Sequence, residues 1–179
     1  MDGRIFLQRG DITRVAADVI VNASNAYMLP GGGVSGAIHA AADQSVERES
    51  REIVERRGPL DPGEAAATTA GELPARHIVH ALGPVWHGGH SGEAEALASA
   101  YRESIRVADE LGAASIAFPS ISTGIFGYPA DRAAPVALRA VRDALARATH
   151  MREARFVLFD EETYQAYERA LERVQTEAG

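Results

Sequence analysis

The sequence predicts an α/β fold in which a largely parallel or mixed sheet carries helices on both faces. Short apolar runs rich in β-branched residues alternate along the chain with longer stretches of helical periodicity. Strands separated by such helices need crossover connections, and crossovers join parallel strands. The 179 residues, of which 46% are hydrophobic, are enough to build one sizeable core. We therefore predict a single domain over residues 1–179.

Six short segments are predicted as strands, because each is apolar and ends at turn-forming residues. They comprise residues 5–7, 19–21, 65–69, 77–82, 115–118 and 155–159. Four longer segments have helical periodicity: residues 33–57, with a break near Asp43, and residues 93–111, 131–149 and 161–175. In such sheets ligands bind beyond the carboxyl ends of the strands. The loops of interest therefore follow Val21, Leu82, Phe118 and Phe159.

Two amino acids are missing from the chain, and their absence excludes several kinds of chemistry. There is no cysteine, and all 18 basic residues are arginine, so there is no lysine either. A thiolate nucleophile, a disulfide and a cysteine-based zinc site are excluded. A Schiff-base lysine and a Walker-A lysine are excluded as well.

The charge balance favours small molecules or proteins as partners. The formal net charge is −7, whereas proteins that hold long nucleic acids usually carry a basic patch. The first ten residues contain an apolar stretch of only three residues, which predicts no signal peptide. No stretch approaches the roughly 18 apolar residues of a membrane span. We expect a cytoplasmic monomer that binds neither nucleic acid nor membrane.

Residues 31–36, Gly-Gly-Gly-Val-Ser-Gly, match the dinucleotide-binding pattern G-x-G-x-x-G, but their context does not fit it. Eight residues separate Asn22 from this loop, and a charged helix rather than an apolar strand follows it. Three glycines that lead into a helix nonetheless let backbone N–H groups approach an anion at the helix N-terminus. The alternative is a turn that only reverses the chain.

A second loop, residues 119–127, has the same features. It follows a predicted buried strand and combines hydroxyl side chains with glycines at the carboxyl end of that strand. Phe126 adds an aromatic ring where loops are usually polar. Two such loops at one edge of a sheet can hold a diphosphate between them, with mainly backbone donors, which fits the absence of lysine.

Four motifs, taken in order, resemble the sequence pattern of the macrodomain family. They are Gly-Asp-Ile-Thr at 10–13, Val-Asn-Ala-Ser-Asn at 21–25, Gly-Gly-Gly-Val at 31–34 and Ser-Thr-Gly-Ile-Phe-Gly at 122–127. Residues 77–80 and 83–86 are similar to the family's central strand and its following loop. The resemblance covers nearly the whole chain. It implies a three-layer α/β/α sandwich that binds ADP-ribose or an ADP-ribosylated protein and needs no cofactor.

The resemblance also assigns roles to individual residues. Asp11 would accept a hydrogen bond from the adenine amino group, with Ile12 and Phe159 beside the base. Asn25 would hold the distal ribose. The other implied ligand-binding residues belong to the two loops: Gly32, Gly33, Val34, Ser122, Thr123, Gly124, Ile125 and Phe126. Without the family, Asp11 and Asn25 are equally suited to capping, and Phe159 is equally suited to the core.

One departure from the family pattern bears on catalysis. Members of the MacroD type carry an aspartate directly after the glycine-loop valine and a histidine four residues later, and the corresponding residues here are Ser35 and His39. Serine can position a water molecule but is not a useful base at neutral pH. The resemblance implies slow hydrolysis of ADP-ribosyl esters by water, which a substrate phosphate oxygen orients. The catalytic residues would be Asn25, Gly33, Ser35, His39 and Phe126.

Several alternatives stay open. Ser35 favours a non-catalytic ADP-ribose reader, and adenine pockets can also accept single-stranded RNA, although the acidic charge counts against it. His39 is equally suited to packing. The sequence assigns no metal site and no covalent nucleophile. His77 and His80 lie three apart in a strand and so point to opposite faces, His87 and His90 lack a third ligand, and Ser122 lacks a matching histidine and aspartate.

Overall fold

Six strands form one mixed sheet at the centre of the molecule. They are β1 (Ile5–Arg9), β2 (Val19–Ala23), β3 (Ala65–Thr69), β4 (His77–Ala81), β5 (Ser115–Phe118) and β6 (Glu153–Leu158). The computed structural model describes residues 4–178, so the ends of the predicted domain, residues 1–3 and 179, lie outside the described residues. The strand order is β1-β6-β5-β2-β4-β3, and only the pairing of β3 with β4 is antiparallel. The predicted mixed, mostly parallel sheet is confirmed.

In the described part of the chain, five helices cover the sheet: α1 (Gly33–Ala42), α2 (Gln44–Arg57), α3 (Glu93–Glu110), α4 (Ala130–Arg147) and α5 (Glu161–Ala178). The predicted break near Asp43 is confirmed, because the Asp43 carboxylate accepts a hydrogen bond from the Ser45 N–H at 2.8 Å and caps α2. The sequence does not predict the short 3₁₀ turn Ile12–Arg14, since three residues show no periodicity. Within residues 4–178, no helix is long and apolar enough to cross a membrane.

Alternate residues of the strands face two separate cores, which creates the three layers. On β2, Val19 and Val21 pack towards α3, α4 and α5, whereas Ile20 packs towards α1 and α2. The larger core includes four aromatic rings whose centroids are 5.2–5.8 Å apart. These rings are Tyr101, Phe118, Phe156 and Tyr167. The α/β/α sandwich is confirmed.

The carboxyl ends of the parallel strands meet at one edge of the sheet, where β1 and β6 end together. The Gly10 N–H donates to the Leu158 carbonyl oxygen at 3.1 Å, and the backbone then turns at Gly10, whose φ is +152°. The prediction that β6 extends to Phe159 is therefore wrong, because the partner strand has already turned away. The ring of Phe159 is 78% exposed and does not belong to the core.

Candidate functional site

A cavity of about 610 Å³ opens at this edge of the sheet. Its volume is typical of small-molecule sites, which span about 300–1,000 Å³. Every ligand-binding residue that the sequence predicts lines it, as does every predicted catalytic residue except His39. They are Asp11, Ile12, Asn25, Gly32, Gly33, Val34, Ser35, Ser122, Thr123, Gly124, Ile125, Phe126 and Phe159.

The N-terminus of α1 lies at this cavity, which residues 31–35 line. Gly32 precedes the helix and, in the described part of the chain, no side chain caps its first N–H groups. Gly33 has a φ of +56°, a left-handed conformation that favours glycine. The helix dipole favours negative charge at this position.

Gly36 has a local structural role, which explains why residues 31–36 match a dinucleotide-binding pattern although the fold is a different one. A Cβ atom at Gly36 would lie 2.5 Å from the Gly31 carbonyl oxygen, so the loop folds back directly against its own helix. The third glycine of the pattern is needed here for the shape of the loop itself. The sequence argument against a dinucleotide fold agrees with this geometry.

Asn25 organises the turn that precedes the glycine loop. Its Oδ1 atom accepts hydrogen bonds from the N–H groups of Tyr27 at 3.1 Å and Leu29 at 3.2 Å, and its Nδ2 donates to the Leu29 carbonyl at 2.9 Å. The capping role is therefore present. It is compatible with ligand binding, because Nδ2 carries a second hydrogen and Asn25 lines the cavity.

Ser35 lies at the end of a buried chain of polar side chains. The Nδ2 of Asn22 is 3.5 Å from the Ser35 hydroxyl and 3.1 Å from Nδ1 of His80. The Nε2 of His80 is 2.9 Å from the Thr68 hydroxyl, which donates to the Thr69 carbonyl at 2.8 Å. His80 therefore carries its proton on Nε2, and Asn22 donates to both neighbours. The proton of the Ser35 hydroxyl remains available to the cavity.

His80, which belongs to this chain of hydrogen bonds, and His39 beside it are both neutral at physiological pH. Burial, and then the neighbouring His39, lower the pKa of His80 to about 3. His39 is 7% exposed, its ring centroid is 5.7 Å from that of His80, and burial lowers its pKa as well. Among the described residues, neither nitrogen of His39 has a hydrogen-bond partner. Its position outside the cavity lining supports the packing alternative and does not support the predicted catalytic role.

Asp11 caps the 3₁₀ turn and still presents a charged oxygen to the cavity. Its Oδ1 accepts hydrogen bonds from the Thr13 N–H at 2.9 Å and the Thr13 hydroxyl at 2.7 Å. These bonds, the hydroxyl first, lower the pKa of Asp11. The carboxylate is therefore ionised at neutral pH. Its Oδ2 forms an exposed ion pair with Nε of Arg14 at 3.8 Å, which is too long for a hydrogen bond, so Oδ2 remains an acceptor.

The second loop closes the opposite side of the cavity and approaches the first. Ser122 adopts a left-handed backbone with a φ of +70°, and its carbonyl accepts a hydrogen bond from the Tyr128 N–H at 2.9 Å. A Cβ atom at Gly83 would overlap the Ser122 hydroxyl, so Gly83 allows this close approach. A Cβ atom at Gly32 would lie 3.3 Å from the Ile125 side chain. Ile125 thus bridges the two loops above the cavity.

Comparison with known proteins assigns the family. The family model described as Macro domain matches residues 21–137. The "Macro domain-containing protein in gbd 3'region" of Cupriavidus necator is 50% identical over 162 residues, which cover 90% of this chain and 94% of that protein. The chain is a macrodomain.

Further relatives agree with this assignment. The O-acetyl-ADP-ribose deacetylase of Cronobacter turicensis is 46% identical over 171 residues, which cover 96% of this chain and 97% of that protein. The Oceanobacillus iheyensis macrodomain solved with ADP is 37% identical, with a TM-score of 0.90 over 96% of this chain and 91% of the other. The Trypanosoma brucei macrodomain in complex with ADP-ribose is 35% identical, with a TM-score of 0.85 over 94% of this chain and 69% of the other.

The lining of the macrodomain's cavity contains few ionisable side chains. Its ionisable side chains are the carboxylates of Asp11 and Asp160, and no arginine or histidine is among the lining residues. Within residues 4–178, no group of three histidine, aspartate or glutamate side chains is placed to hold a metal ion. A bound diphosphate would therefore depend on backbone N–H groups and hydroxyls.

Several lining residues escape prediction from the sequence. Ser24, Ser120, Asp160 and Thr163 line the cavity, and Asp160 caps the start of α5 by accepting a hydrogen bond from the Thr163 N–H at 2.8 Å. The motif Asp-Glu-Glu-Thr at 160–163 is a capping signal that points to this helix start. The contact of Gly83 with Ser122 has no sequence signal, since the two residues lie in separate loops.

Glu93 stabilises the loop that carries Trp86, and this loop contacts Phe126 of the cavity lining. Its buried carboxylate accepts hydrogen bonds from the N–H groups of His87 at 2.9 Å, Gly89 at 2.9 Å and Ser91 at 2.6 Å. The backbone N–H of Trp86 in turn donates to the Phe126 carbonyl at 2.8 Å. The Trp86 ring packs against that of Tyr128 at a tilt of 47°, with ring centroids 4.6 Å apart. Burial alone would raise the pKa of Glu93, but the backbone hydrogen bonds outweigh it and lower the pKa to about 2.

This depressed pKa predicts an acid-induced loosening of the loop. Because the folded pKa lies below the ordinary value of 4.5, the stabilisation is complete above pH 4.5 and is lost as the pH falls through about 2. We expect the fluorescence of Trp86, the only tryptophan, to change over that range. In Glu93→Gln this pH-dependent step should be absent. A step of equal size in the variant would contradict the assignment to Glu93.

Proposed function

We propose that this macrodomain binds ADP-ribose in the cavity and hydrolyses ADP-ribosyl esters, either O-acetyl-ADP-ribose or ADP-ribosylated acidic side chains. The observation that carries the proposal is the pair of loops, 31–36 and 119–127, that line one cavity, the first of them at the start of a helix whose N-terminal N–H groups no described side chain caps. The named activity of the Cronobacter relative and the ligand of the Trypanosoma structure support the same assignment.

The ends of the cavity differ in a way that suits the two ends of ADP-ribose. Asp11, Ile12 and the exposed ring of Phe159 offer an acceptor and apolar surface for adenine. The two loops lie between this end and the end formed by Asn25 and Ser35, where amide and hydroxyl donors suit a ribose. The diphosphate would occupy the space between the loops.

The chemistry at the ribose end would use water as the nucleophile. The Ser35 hydroxyl and the second Nδ2 hydrogen of Asn25 are positioned to orient a ligand oxygen or a water molecule, but neither takes up a proton at neutral pH. The water oxygen would attack the ester carbon, the bond from that carbon to the ribose oxygen would break, and the proton that the water loses would pass to the ribose oxygen. A phosphate oxygen of the substrate would orient the attacking water.

Calorimetric titration with ADP-ribose, combined with an assay of acetate release from O-acetyl-ADP-ribose, tests the proposal. We expect saturable one-to-one binding and slow release, and Asn25→Ala should weaken binding and reduce release. Binding without any release, also from a glutamate-linked ADP-ribosyl protein, would leave a reader module. Binding of poly-adenosine in place of ADP-ribose would contradict the proposal.

Asp11→Ala is expected to weaken ADP-ribose binding by about 10–100-fold, because a hydrogen bond to a charged acceptor contributes about 1.5–3 kcal/mol. The loss should come from the adenine end. Ribose 5-phosphate lacks adenine, so its affinity for Asp11→Ala should equal its affinity for the wild type. Thr13→Val is the matched control, since it removes one hydrogen bond to Oδ1 and leaves Oδ2 in place. Equal losses for both ligands would contradict the adenine assignment.

A further inference from the structure

We propose that Ser120 is a further ligand-binding residue of this cavity, and that the buried Tyr167 positions it by directing its hydroxyl proton towards the ligand. The inference rests on the proposed function, since the ligand feature that Ser120 would contact is the diphosphate held by the second loop. It follows from a chain of hydroxyl groups that connects the interior of the larger core to that loop.

Two tyrosines form the buried end of this chain. Tyr101 on α3 and Tyr167 on α5 are both fully buried, and their hydroxyl oxygens lie 3.3 Å apart. Their neighbours in the same aromatic cluster, Phe118 and Phe156, carry no hydroxyl. Phenylalanine would fill the same volume without a buried polar atom to satisfy. The tyrosine hydroxyls are therefore explained by the loop they contact rather than by packing.

Tyr101 holds the backbone of the second loop at its start. Its hydroxyl oxygen accepts a hydrogen bond from the Ile121 N–H at 2.8 Å. Its proton points to the Pro119 carbonyl at 3.3 Å, an oxygen that can only accept. The Tyr101 hydroxyl is equally far, 3.3 Å, from the Tyr167 hydroxyl. When the Tyr101 proton goes to the Pro119 carbonyl, the proton of Tyr167 is left to donate to Tyr101 or to Ser120.

Ser120 lines the cavity, and its hydroxyl lies within hydrogen-bond distance of two other hydroxyls. Its hydroxyl oxygen is 3.0 Å from the Tyr167 hydroxyl and accepts a hydrogen bond from the Thr123 hydroxyl at 2.9 Å. The Thr123 hydroxyl also lies 3.2 Å from the Ser120 carbonyl oxygen, but the shorter contact is with the Ser120 hydroxyl. When Thr123 and Tyr167 both donate to the Ser120 hydroxyl, its acceptor positions are filled and its own proton has no acceptor among these hydroxyls. That proton is then available to an anion in the cavity, and the two incoming hydrogen bonds strengthen it as a donor.

The reverse direction of the chain is also satisfied without a ligand. In that arrangement Ser120 donates to Tyr167, and Tyr167 donates to Tyr101 at 3.3 Å. An anion between the loops favours the first arrangement, because only that one presents a proton to it. Tyr167 therefore acts through Ser120 and does not itself touch the ligand.

A double-mutant cycle tests this inference. Ser120→Ala and Tyr167→Phe are each expected to weaken ADP-ribose binding by about 3–10-fold, as expected for one net hydrogen bond. Because both changes interrupt the same contact, the double variant should bind no more weakly than Ser120→Ala alone. Tyr164→Phe is the matched control on α5, since its hydroxyl takes no part in the chain. It should leave affinity unchanged.

The outcomes separate this inference from the proposed function. If the wild type binds ADP-ribose but Ser120→Ala binds as well as the wild type, the inference is wrong and the proposed function stands. The inference is also wrong if the losses of affinity multiply in the double variant. It is wrong as well if Tyr167→Phe lowers the thermal midpoint but keeps the affinity, because the tyrosine would then be purely structural. A wild type that does not bind ADP-ribose overturns both.

Discussion

Ser35→Asp is expected to raise the rate of acetate release from O-acetyl-ADP-ribose by about 10²-fold, since a positioned general base contributes roughly 10²–10⁴-fold. Ser35 lines the cavity at the ribose end, and the Asn22 amide already donates to this position. A carboxylate there would keep that hydrogen bond and could accept a proton from the attacking water. The rate of acetate release at a saturating concentration of O-acetyl-ADP-ribose measures the effect.

Ser35→Asn separates base catalysis from changes in shape. Asparagine has nearly the same size as aspartate and can also meet the Asn22 amide, but it cannot take up a proton. We expect this variant to release acetate no faster than the wild type. If Ser35→Asp is also no faster than the wild type, the missing carboxylate does not limit the reaction.

Gly36→Ala is expected to weaken ADP-ribose binding by at least about 10-fold. Alanine favours a helix by about 1 kcal/mol over glycine, but the added Cβ would lie 2.5 Å from the Gly31 carbonyl oxygen. Forcing an atom into a packed site costs about 1–3 kcal/mol, so the loop must move away from its helix. Its N–H groups would then leave the positions from which they face the second loop. Calorimetric titration measures the loss.

Gly124→Ala is the control for an added methyl group in the other loop. A Cβ atom at Gly124 would meet no protein atom within 4 Å, so the protein should fold with an unchanged thermal midpoint. If Gly36→Ala binds ADP-ribose as the wild type does, the shape of the first loop does not depend on that close contact.

The succession of strands and helices along the sequence follows from local patterns and could be predicted. Apolar β-branched runs such as Val19–Val21 are short and clearly bounded, and their alternation with helices fixes a parallel arrangement. This arrangement also predicts which loops meet, since parallel strands end at the same edge. The structure brings both glycine loops to one cavity, as this arrangement predicts.

Contacts between distant side chains could not be predicted in the same way. His39 lies in a helix that carries cavity residues, yet its ring faces His80 on the sheet, which depends on how α1 is rotated. The exact end of β6, and with it the exposure of Phe159, depends on where β1 turns at Gly10. Tyr101 and Tyr167 are 66 positions apart, and nothing near either one indicates that their hydroxyls meet.

A cavity without cations has a consequence for how its function can be mapped by mutagenesis. Alanine scanning removes side-chain atoms, but the donors of the glycine loop belong to the backbone and survive every truncation. Truncation would find Asp11, Asn25 and Ser120, but it removes none of the backbone donors of residues 31–36. The contribution of the glycine loop becomes visible only when atoms are added to it, as in Gly36→Ala.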